Sequence, residues 1–213
     1  MALFQKQPSS TEKASLFSIG LTKTFLIVGL GNIGKEYDQT RHNIGFEVVD
    51  ALVKSRSELA DWQDKKNFKA HFSLGQFAET RIIVIKPTTL MNLSGSAVEA
   101  VANFYKIAPS NILVIHDELD INFGQIRTRI GGTSAGHNGV QSIIDKLGED
   151  FARIRIGIGP KKPEKMDSSD FVLAKFKKAE LEMIGDLKNE SVSILTEFIS
   201  NGELNQETRT FLI

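Results

Sequence analysis

Three short polar clusters in this chain contain the residue types that proton-transfer chemistry needs. They pair a histidine with an amide or a carboxylate, as His42-Asn43, His116-Asp117 and His137-Asn138. Histidine can exchange a proton near neutral pH, aspartate can orient and stabilise the charged ring, and asparagine can bind a carbonyl or hold a water. Because the whole chain has four histidines, this distribution predicts one polar site assembled from distant segments.

Each cluster taken alone also fits an ordinary structural role. Asparagine before glycine is a common turn or helix-cap residue, and an aspartate after a strand often caps the next turn. His42, His137 and Asp117 could together ligate a metal, although the interleaved amides suit carbonyl recognition better. The chain has no cysteine and no Gly-x-Ser-x-Gly elbow that would supply a covalent nucleophile.

The composition is that of a water-soluble folded protein. The hydrophobic share of 41% and the charged share of 24% are ordinary for a globular chain of 213 residues. No apolar run approaches the roughly 18 residues that a membrane-spanning helix requires. The formal net charge is zero, so a nucleic-acid partner would have to be bound by a local basic patch.

The elements that must position the polar clusters follow an α/β pattern. Buried strands are predicted at 25–28 and 112–115, and a hairpin at 68–74 and 81–85; further alternating strands are predicted at 125–130 and 153–158. Helical spacing predicts helices at 44–53, 94–107, 138–147 and 181–199. We therefore expect one domain over residues 24–213, built on a mixed, mostly parallel twisted sheet flanked by helices. Residues 1–23 lack periodicity and are predicted to be a flexible extension.

The segment Gly29–Gly34 matches the G-x-G-x-x-G fingerprint of dinucleotide-binding folds. A dinucleotide site needs a helix that starts inside the motif, so that its N-terminus receives the pyrophosphate. Here a polar loop follows, and Asp50, at the spacing of the ribose-binding acid, lies inside a helical pattern. We therefore interpret these glycines as a sharp turn that exposes Asn32, and we expect no bound cofactor.

Five blocks of the chain together resemble the bacterial-type peptidyl-tRNA hydrolase family. They occur in the order of that family, at 28–46, 86–95, 116–120, 131–139 and 153–159. The resemblance implies an enzyme that hydrolyses the ester between a peptide and tRNA, as in ribosome rescue during translation. A catalytically inactive RNA-binding relative of the same fold is the alternative.

The resemblance also implies a role for each matching residue. It makes His42 the catalytic base, Asp117 its orienting partner and Asn32 the amide near the water and the scissile carbonyl. It places five substrate-binding residues in the same crevice: Tyr37, Met91, Asn92, His137 and Asn138. Ile33 stands where the family usually has proline, and the lid expected near 166–171 is only loosely recognisable.

Basic residues near the last two blocks could contact the tRNA. Arg127 and Arg129 alternate along one predicted strand, and Arg153 and Arg155 along another, so that each pair shares a face. Such a face can also be an ordinary solvated surface. By resemblance, Arg127, Arg129 and Arg155 fall where the family binds tRNA phosphates. We expect a cytoplasmic monomer with no metal and no membrane partner.

Overall fold

The computed structural model describes residues 23–161 and 163–210, and an eight-stranded sheet runs through this part of the chain. Its strands are β1 Thr24–Gly29, β2 Gln63–Lys65, β3 Ala70–Phe77, β4 Thr80–Pro87, β5 Ile112–Asn122, β6 Gln125–Ile130, β7 Ala152–Gly159 and β8 Thr208–Thr210. The helices are α1 Ile44–Ser55, α2 Ser94–Tyr105, α3 Asn138–Leu147, α4 Ser168–Leu173 and α5 Lys178–Asn201. None of these helices is long and apolar enough to cross a membrane.

The strand order is β2-β3-β4-β1-β5-β7-β6-β8. The four central strands, β4, β1, β5 and β7, run parallel, and the strands outside them pair antiparallel. The predicted mixed sheet is confirmed, with its parallel part confined to the centre. On one side the β3–β4 hairpin adds an antiparallel strand. On the other side β6 pairs antiparallel with β7, although α3 lies between them in the chain, and β8 pairs antiparallel with β6.

Helices cover the two faces of the sheet, and each face has its own core. On one face Ile27, Val84 and Leu113 pack under α1 and α5. On the other face Val28, Ile85 and Val114 pack under α2 and α3. The near-continuous apolar sequence of β1 and β5 follows from this burial on both sides.

The predicted extension, residues 1–23, lies outside the described residues except for Lys23. Its ammonium group lies over the ring of Phe25 and donates to the carbonyl of Gly202. The Gly29–Gly34 segment leads from β1 into a loop with a short 3-10 turn at Lys35–Tyr37. No helix begins inside it, so it lacks the helix N-terminus with which a dinucleotide-binding turn receives the pyrophosphate.

Candidate active site

The candidate site lies where the central strands end, and loops from several elements meet there. Asp117 is on β5, and Asn32 is on the loop that follows β1. His42 is on a 3-10 turn, Arg41–Asn43, that leads directly into α1, and His137 precedes the first residue of α3. Open α/β sheets commonly form their sites at the carboxyl ends of the strands.

Two glycines let α1 begin close enough to the sheet for His42 to reach Asp117. A Cβ atom on Gly45 would lie 2.4 Å from the carbonyl oxygen of Ile115 and 2.5 Å from that of Leu30. A Cβ on Gly29 would lie 2.5 Å from the carbonyl oxygen of Gly45. Any larger residue would push the start of α1, and with it His42, away from β5.

Asp117 accepts hydrogen bonds from two imidazoles on the same oxygen. Its Oδ1 lies 2.8 Å from Nδ1 of His42 and 3.1 Å from Nε2 of His137. The other nitrogen of His137, Nδ1, accepts from the backbone N–H groups of Gly139 and Val140 at the start of α3. His137 therefore carries its proton on Nε2 and donates it to Asp117, and His42 donates from Nδ1.

This arrangement leaves Nε2 of His42 as an unprotonated nitrogen that can accept a proton. His42 lines a cavity of about 390 Å³, whereas the Asp117 carboxylate behind it is 2% exposed. A buried carboxylate that receives Nδ1–H fixes the tautomer and ring orientation of a histidine and stabilises its charged form. The pair therefore has the geometry of a general base.

The electrostatics of the pair favour an ionised Asp117. Burial alone would raise the pKa of this carboxyl group. Electrostatic attraction to the N–H sides of His42 and His137, together with the hydrogen bonds from both rings, outweighs burial and holds the pKa of Asp117 well below its ordinary value. Asp117 therefore stays negative throughout the neutral range.

His116 is a third histidine beside this carboxylate. Its Nδ1 lies 2.7 Å from the carbonyl oxygen of Asp117, and its ring meets that of His137 edge to face. Burial and the nearby His137 lower the pKa of His116 well below its ordinary value. His116 is therefore neutral in the folded protein, and its buried Nε2 has no hydrogen-bond partner within the described part of the chain.

Asparagine amides line the same cavity as His42. Asn32 and Asn138 contribute to the lining, and their side-chain amides make no hydrogen bond within the described residues. Asn43, which is buried, bridges the backbone of Asn32: its Oδ1 accepts from Asn32 N at 2.8 Å and its Nδ2 donates to Asn32 O at 3.0 Å. Asn43 thus fixes the loop and leaves the amide of Asn32 free for a ligand.

The structure brings most of the predicted site residues to this cavity. Those that line it are Asn32, His42, Met91, Asp117, His137 and Asn138. Asn92 is exposed beside Met91, and Tyr37 is half-buried on the 3-10 turn after Gly34; both lie outside the lining.

The outer wall of the cavity overlaps the segment near 166–171 where the sequence led us to expect a lid, although no helix was predicted there. This wall is formed by α4, which contributes Ser168, Ser169, Val172 and Leu173. A signal was present, because Asp167 precedes the short apolar run of α4 and accepts from the backbone N–H of Ser169 at 2.7 Å, as a helix cap does. The roles of Asn43 and of the buried Arg41 could not be read from a single sequence, since they depend on partners distant in the chain.

The four arginines of β6 and β7 lie on one face of the sheet but differ in exposure. Arg127 pairs with Arg155 across the two strands, and Arg129 pairs with Arg153. Arg127 and Arg129 are exposed, whereas Arg155 binds the buried carboxylate of Glu118 at 3.0 Å. Arg153 is buried and donates to the carbonyls of Gly132 and Thr133, so it supports the loop before α3 and presents no free charge.

One potential metal-ligating atom from each of His42, Asp117 and His137 lies within 4.8 Å of the other two. These atoms are hydrogen-bonded to one another, and Nδ1 of His137 is engaged by the start of α3. The three side chains are therefore held together by their own hydrogen bonds.

A profile of the family described as peptidyl-tRNA hydrolase matches residues 26–212 of the chain. The chain belongs to the peptidyl-tRNA hydrolase family. It is 43% identical over 180 residues to "Peptidyl-tRNA hydrolase" of Clostridium botulinum strain Hall, an alignment that covers 84% of this chain and 92% of the relative. The resemblance inferred from the five sequence blocks is thus confirmed.

Other members of the peptidyl-tRNA hydrolase family agree with this assignment. The chain is 47% identical over 182 residues to "Peptidyl-tRNA hydrolase, chloroplastic" of Arabidopsis thaliana, covering 84% of this chain and 60% of that longer protein. A crystal structure of peptidyl-tRNA hydrolase from Acinetobacter baumannii superposes with a TM-score of 0.77 at 37% identity, covering 85% of this chain and 90% of that one. The α/β fold around the site is therefore that of the family.

Proposed function

We propose that His42 is the general base with which this chain hydrolyses peptidyl-tRNA, the reaction of the family to which it belongs. The observation that carries the proposal is the pair of hydrogen bonds on Oδ1 of Asp117. They set the tautomers of His42 and His137 and leave Nε2 of His42 as the acceptor that the cavity can use. General-base catalysis of this kind contributes roughly 10²–10⁴-fold to a rate.

The proposed reaction breaks one ester bond and consumes one water. Nε2 of His42 takes a proton from the water as its oxygen attacks the carbonyl carbon of the ester. The tetrahedral intermediate then collapses and the bond to the ribose oxygen breaks. The imidazolium of His42 returns the proton to that oxygen, which gives free tRNA and a peptide with a new carboxyl group. Buried Asp117 stabilises the imidazolium between the two transfers.

Neutral amides are the proposed donors to the oxyanion and to the peptide backbone. Asn32 and Asn138 line the cavity with free side-chain amides, and losing one such donor typically costs about 10²–10³-fold in kcat. Met91 and His137 complete the lining. We assign Asn92 and Tyr37 to parts of the substrate that lie beyond the cavity.

The tRNA is proposed to bind along the arginine face of β6 and β7. Arg127 and Arg129 are exposed there, and Arg155, which is paired with Glu118, lies beside them on the same face. Burial, together with the positive charges of Arg129 and Arg155, lowers the pKa of Arg153 to about 10. A bound anion would stabilise these closely spaced arginines, and phosphate is an anion that arginine binds well.

A monomer in the cytoplasm is the proposed state of the protein. The absence of cysteine fits a reducing compartment. A relative described as chloroplastic makes an organelle the competing location. Fluorescent tagging of the full chain in its native cell and light scattering of the purified protein test the two statements.

The function is tested by incubating the chain with N-acetylaminoacyl-tRNA and measuring the release of free tRNA. We expect turnover by the unaltered chain and none above background by His42→Ala at equal folded concentration. Binding of the tRNA without turnover would instead identify a catalytically inactive RNA-binding relative.

A further inference from the structure

Arg41, the residue immediately before His42, is buried in a setting that the catalytic chemistry does not require. Its side chain is 3% exposed and reaches across to the segment that joins α4 to α5. Burying a guanidinium is costly unless it is paired and hydrogen-bonded, so its surroundings indicate what it stabilises.

Within the described residues, the Arg41 guanidinium contacts α4, the segment that follows it and the first turn of α5. Nη1 donates to the carbonyl oxygens of Ala174, at 3.2 Å, and Lys175, at 2.8 Å. Nη2 donates to Oε2 of Glu180 at 2.7 Å, in the first turn of α5. The planar group also lies over the ring of Phe171, its centre 4.5 Å from the ring centroid.

The same contact is extended by the backbone. Arg41 N donates to Ala174 O at 3.1 Å, and Thr40 pairs with Lys175 in an antiparallel bridge. Oε2 of Glu180 also accepts from the backbone N–H of Lys177, so one carboxylate binds Arg41 and the start of α5 together. These hydrogen bonds hold the turn that contains His42 against the segment that follows α4.

The position of α4 matters because this helix is the outer wall of the cavity. Its residues make two kinds of contact. Val172 and Leu173 line the cavity, whereas Phe171 is buried against Arg41. With six residues, α4 is too short to be stable without packing. What holds it in place therefore sets the distance between this apolar wall and His42.

We propose that Arg41 is a positioning residue for peptidyl-tRNA hydrolysis, which holds the α4 wall of the cavity at its distance from His42. It acts through α4 on the binding of the peptide and takes no part in proton transfer. This inference rests on the proposed function. The two can fail separately, because the proposed function is tested by turnover of the unaltered chain, whereas this inference is tested by the KM of a variant.

The test compares Arg41→Lys with the unaltered chain. Lysine keeps the positive charge but loses the planar fork and the stacking on Phe171. We expect KM for N-acetylaminoacyl-tRNA to rise roughly tenfold, the size of losing one charge-assisted hydrogen bond. We expect kcat and the pH dependence of the rate to stay unchanged, because the His42–Asp117 pair is intact.

Arg209→Lys is the matched control. Arg209 forms ion pairs with Glu190, Glu197 and Glu207 near β8, and it has no contact with the cavity. A purely structural role for Arg41 would reduce the amount of folded enzyme, which lowers the apparent kcat and leaves KM alone. If Arg41→Lys gives that pattern, or matches Arg209→Lys, the proposal is overturned.

A double-mutant cycle with Leu173→Ala identifies the route of the effect. If Arg41 acts through the wall, Arg41→Lys will raise KM much less when Leu173 has already been truncated. Additive effects would overturn the proposal. If Arg41→Lys does not fold, Glu180→Gln replaces it in the test. This substitution weakens the ion pair with Arg41 and keeps the hydrogen bonds from Arg41 to the two carbonyl groups. An unchanged KM for Glu180→Gln would contradict the inference.

Discussion

At the scale of single residues, the site depends on one carboxylate that serves two histidines. Asp117 fixes the ring of His42, and His137 shares the same oxygen while it caps α3. A change at Asp117 therefore affects both the base and the start of the helix that presents Asn138. This shared oxygen makes the aspartate the most informative residue to alter.

Asp117→Asn is expected to lower kcat by roughly 10²–10⁴-fold, because a neutral amide neither stabilises the imidazolium nor enforces the tautomer of His42. Asp120→Asn is the matched control, since Asp120 is exposed on the same strand. Single-turnover measurements on N-acetylaminoacyl-tRNA would compare the two variants. A rate for Asp117→Asn equal to that of the control would reduce Asp117 to a structural role.

His116 predicts a pH dependence of stability that is separate from catalysis. Because its folded pKa is lowered, the unfolded chain binds a proton below about pH 6.5 that the folded protein does not. Stability is therefore complete above that pH and falls as the pH decreases, by up to ~1.4 kcal/mol per pH unit. Asp117, whose folded pKa is also lowered, contributes the same sign of dependence only below about pH 4.

Urea unfolding of the unaltered chain and of His116→Asn between about pH 7 and pH 5 tests this expectation. The variant should show a shallower loss of stability on acidification, by about one proton. His71→Asn, on the partly exposed strand β3, controls for the loss of a histidine. If the free energy of unfolding falls equally with pH in all three proteins, the folded protein binds a proton at His116 as readily as the unfolded chain does.

At the scale of elements, the sequence predicted the parts of the fold whose burial leaves a periodic signal. Strand β1 and helices α1 to α3 are found where apolar spacing places them. Strand β5 begins at Ile112 as predicted but runs on to Asn122, so Asp117 lies within the strand and not after it. Strand β3 begins at Ala70 and not at Phe68, because Lys66–Phe68 forms a 3-10 turn that ends on Lys69 in the left-handed conformation. Helix α2 ends at Tyr105, since Lys106 is also left-handed.

The elements that the sequence did not predict are short and depend on tertiary contacts. Strands β2 and β8 have three residues each and add to the edges of the existing sheet. Helix α4 has six residues and depends on Phe171 and Arg41 for its place. Such segments have no periodicity of their own, so a single sequence cannot distinguish them from loops.

Gly45 offers a test of how an element positions a catalytic residue. Gly45→Ala places a Cβ on the backbone of β5 and of Leu30, so α1 must shift outwards and carry His42 away from Asp117. We expect at least a tenfold loss of kcat, since misplacement by about 1 Å can cost 10²-fold. The measurement is kcat together with the denaturation midpoint.

Gly185→Ala is the matched control for Gly45→Ala. Gly185 lies in α5, and a Cβ there would meet no atom within 4 Å. This change should raise stability by about 0.5–1 kcal/mol, because alanine favours the helix, and leave kcat unchanged. Equal effects of the two substitutions would show that the close approach of α1 is not what positions His42.

At the scale of the whole molecule, the chain combines zero formal net charge with a concentrated basic face. Acidic residues elsewhere balance the arginines of β6 and β7, so the long-range field cannot hold the tRNA. We therefore expect specific binding to depend on Arg127 and Arg129, the exposed pair. Each phosphate that they neutralise releases counterions, so affinity should fall as salt rises.

The double variant Arg127→Ala, Arg129→Ala is expected to raise KM for N-acetylaminoacyl-tRNA and to reduce the slope of log affinity against log salt by roughly two. It should barely change hydrolysis of a short peptidyl-adenosine, which reaches His42 but not the arginine face. Lys54→Ala with Arg81→Ala removes the same charge from exposed positions at the amino ends of the parallel strands, and serves as the control. The measurement is kcat/KM for both substrates at several salt concentrations. Equal losses on the long and the short substrate would mean that Arg127 and Arg129 support the catalytic centre, and the tRNA would then have to bind through another surface.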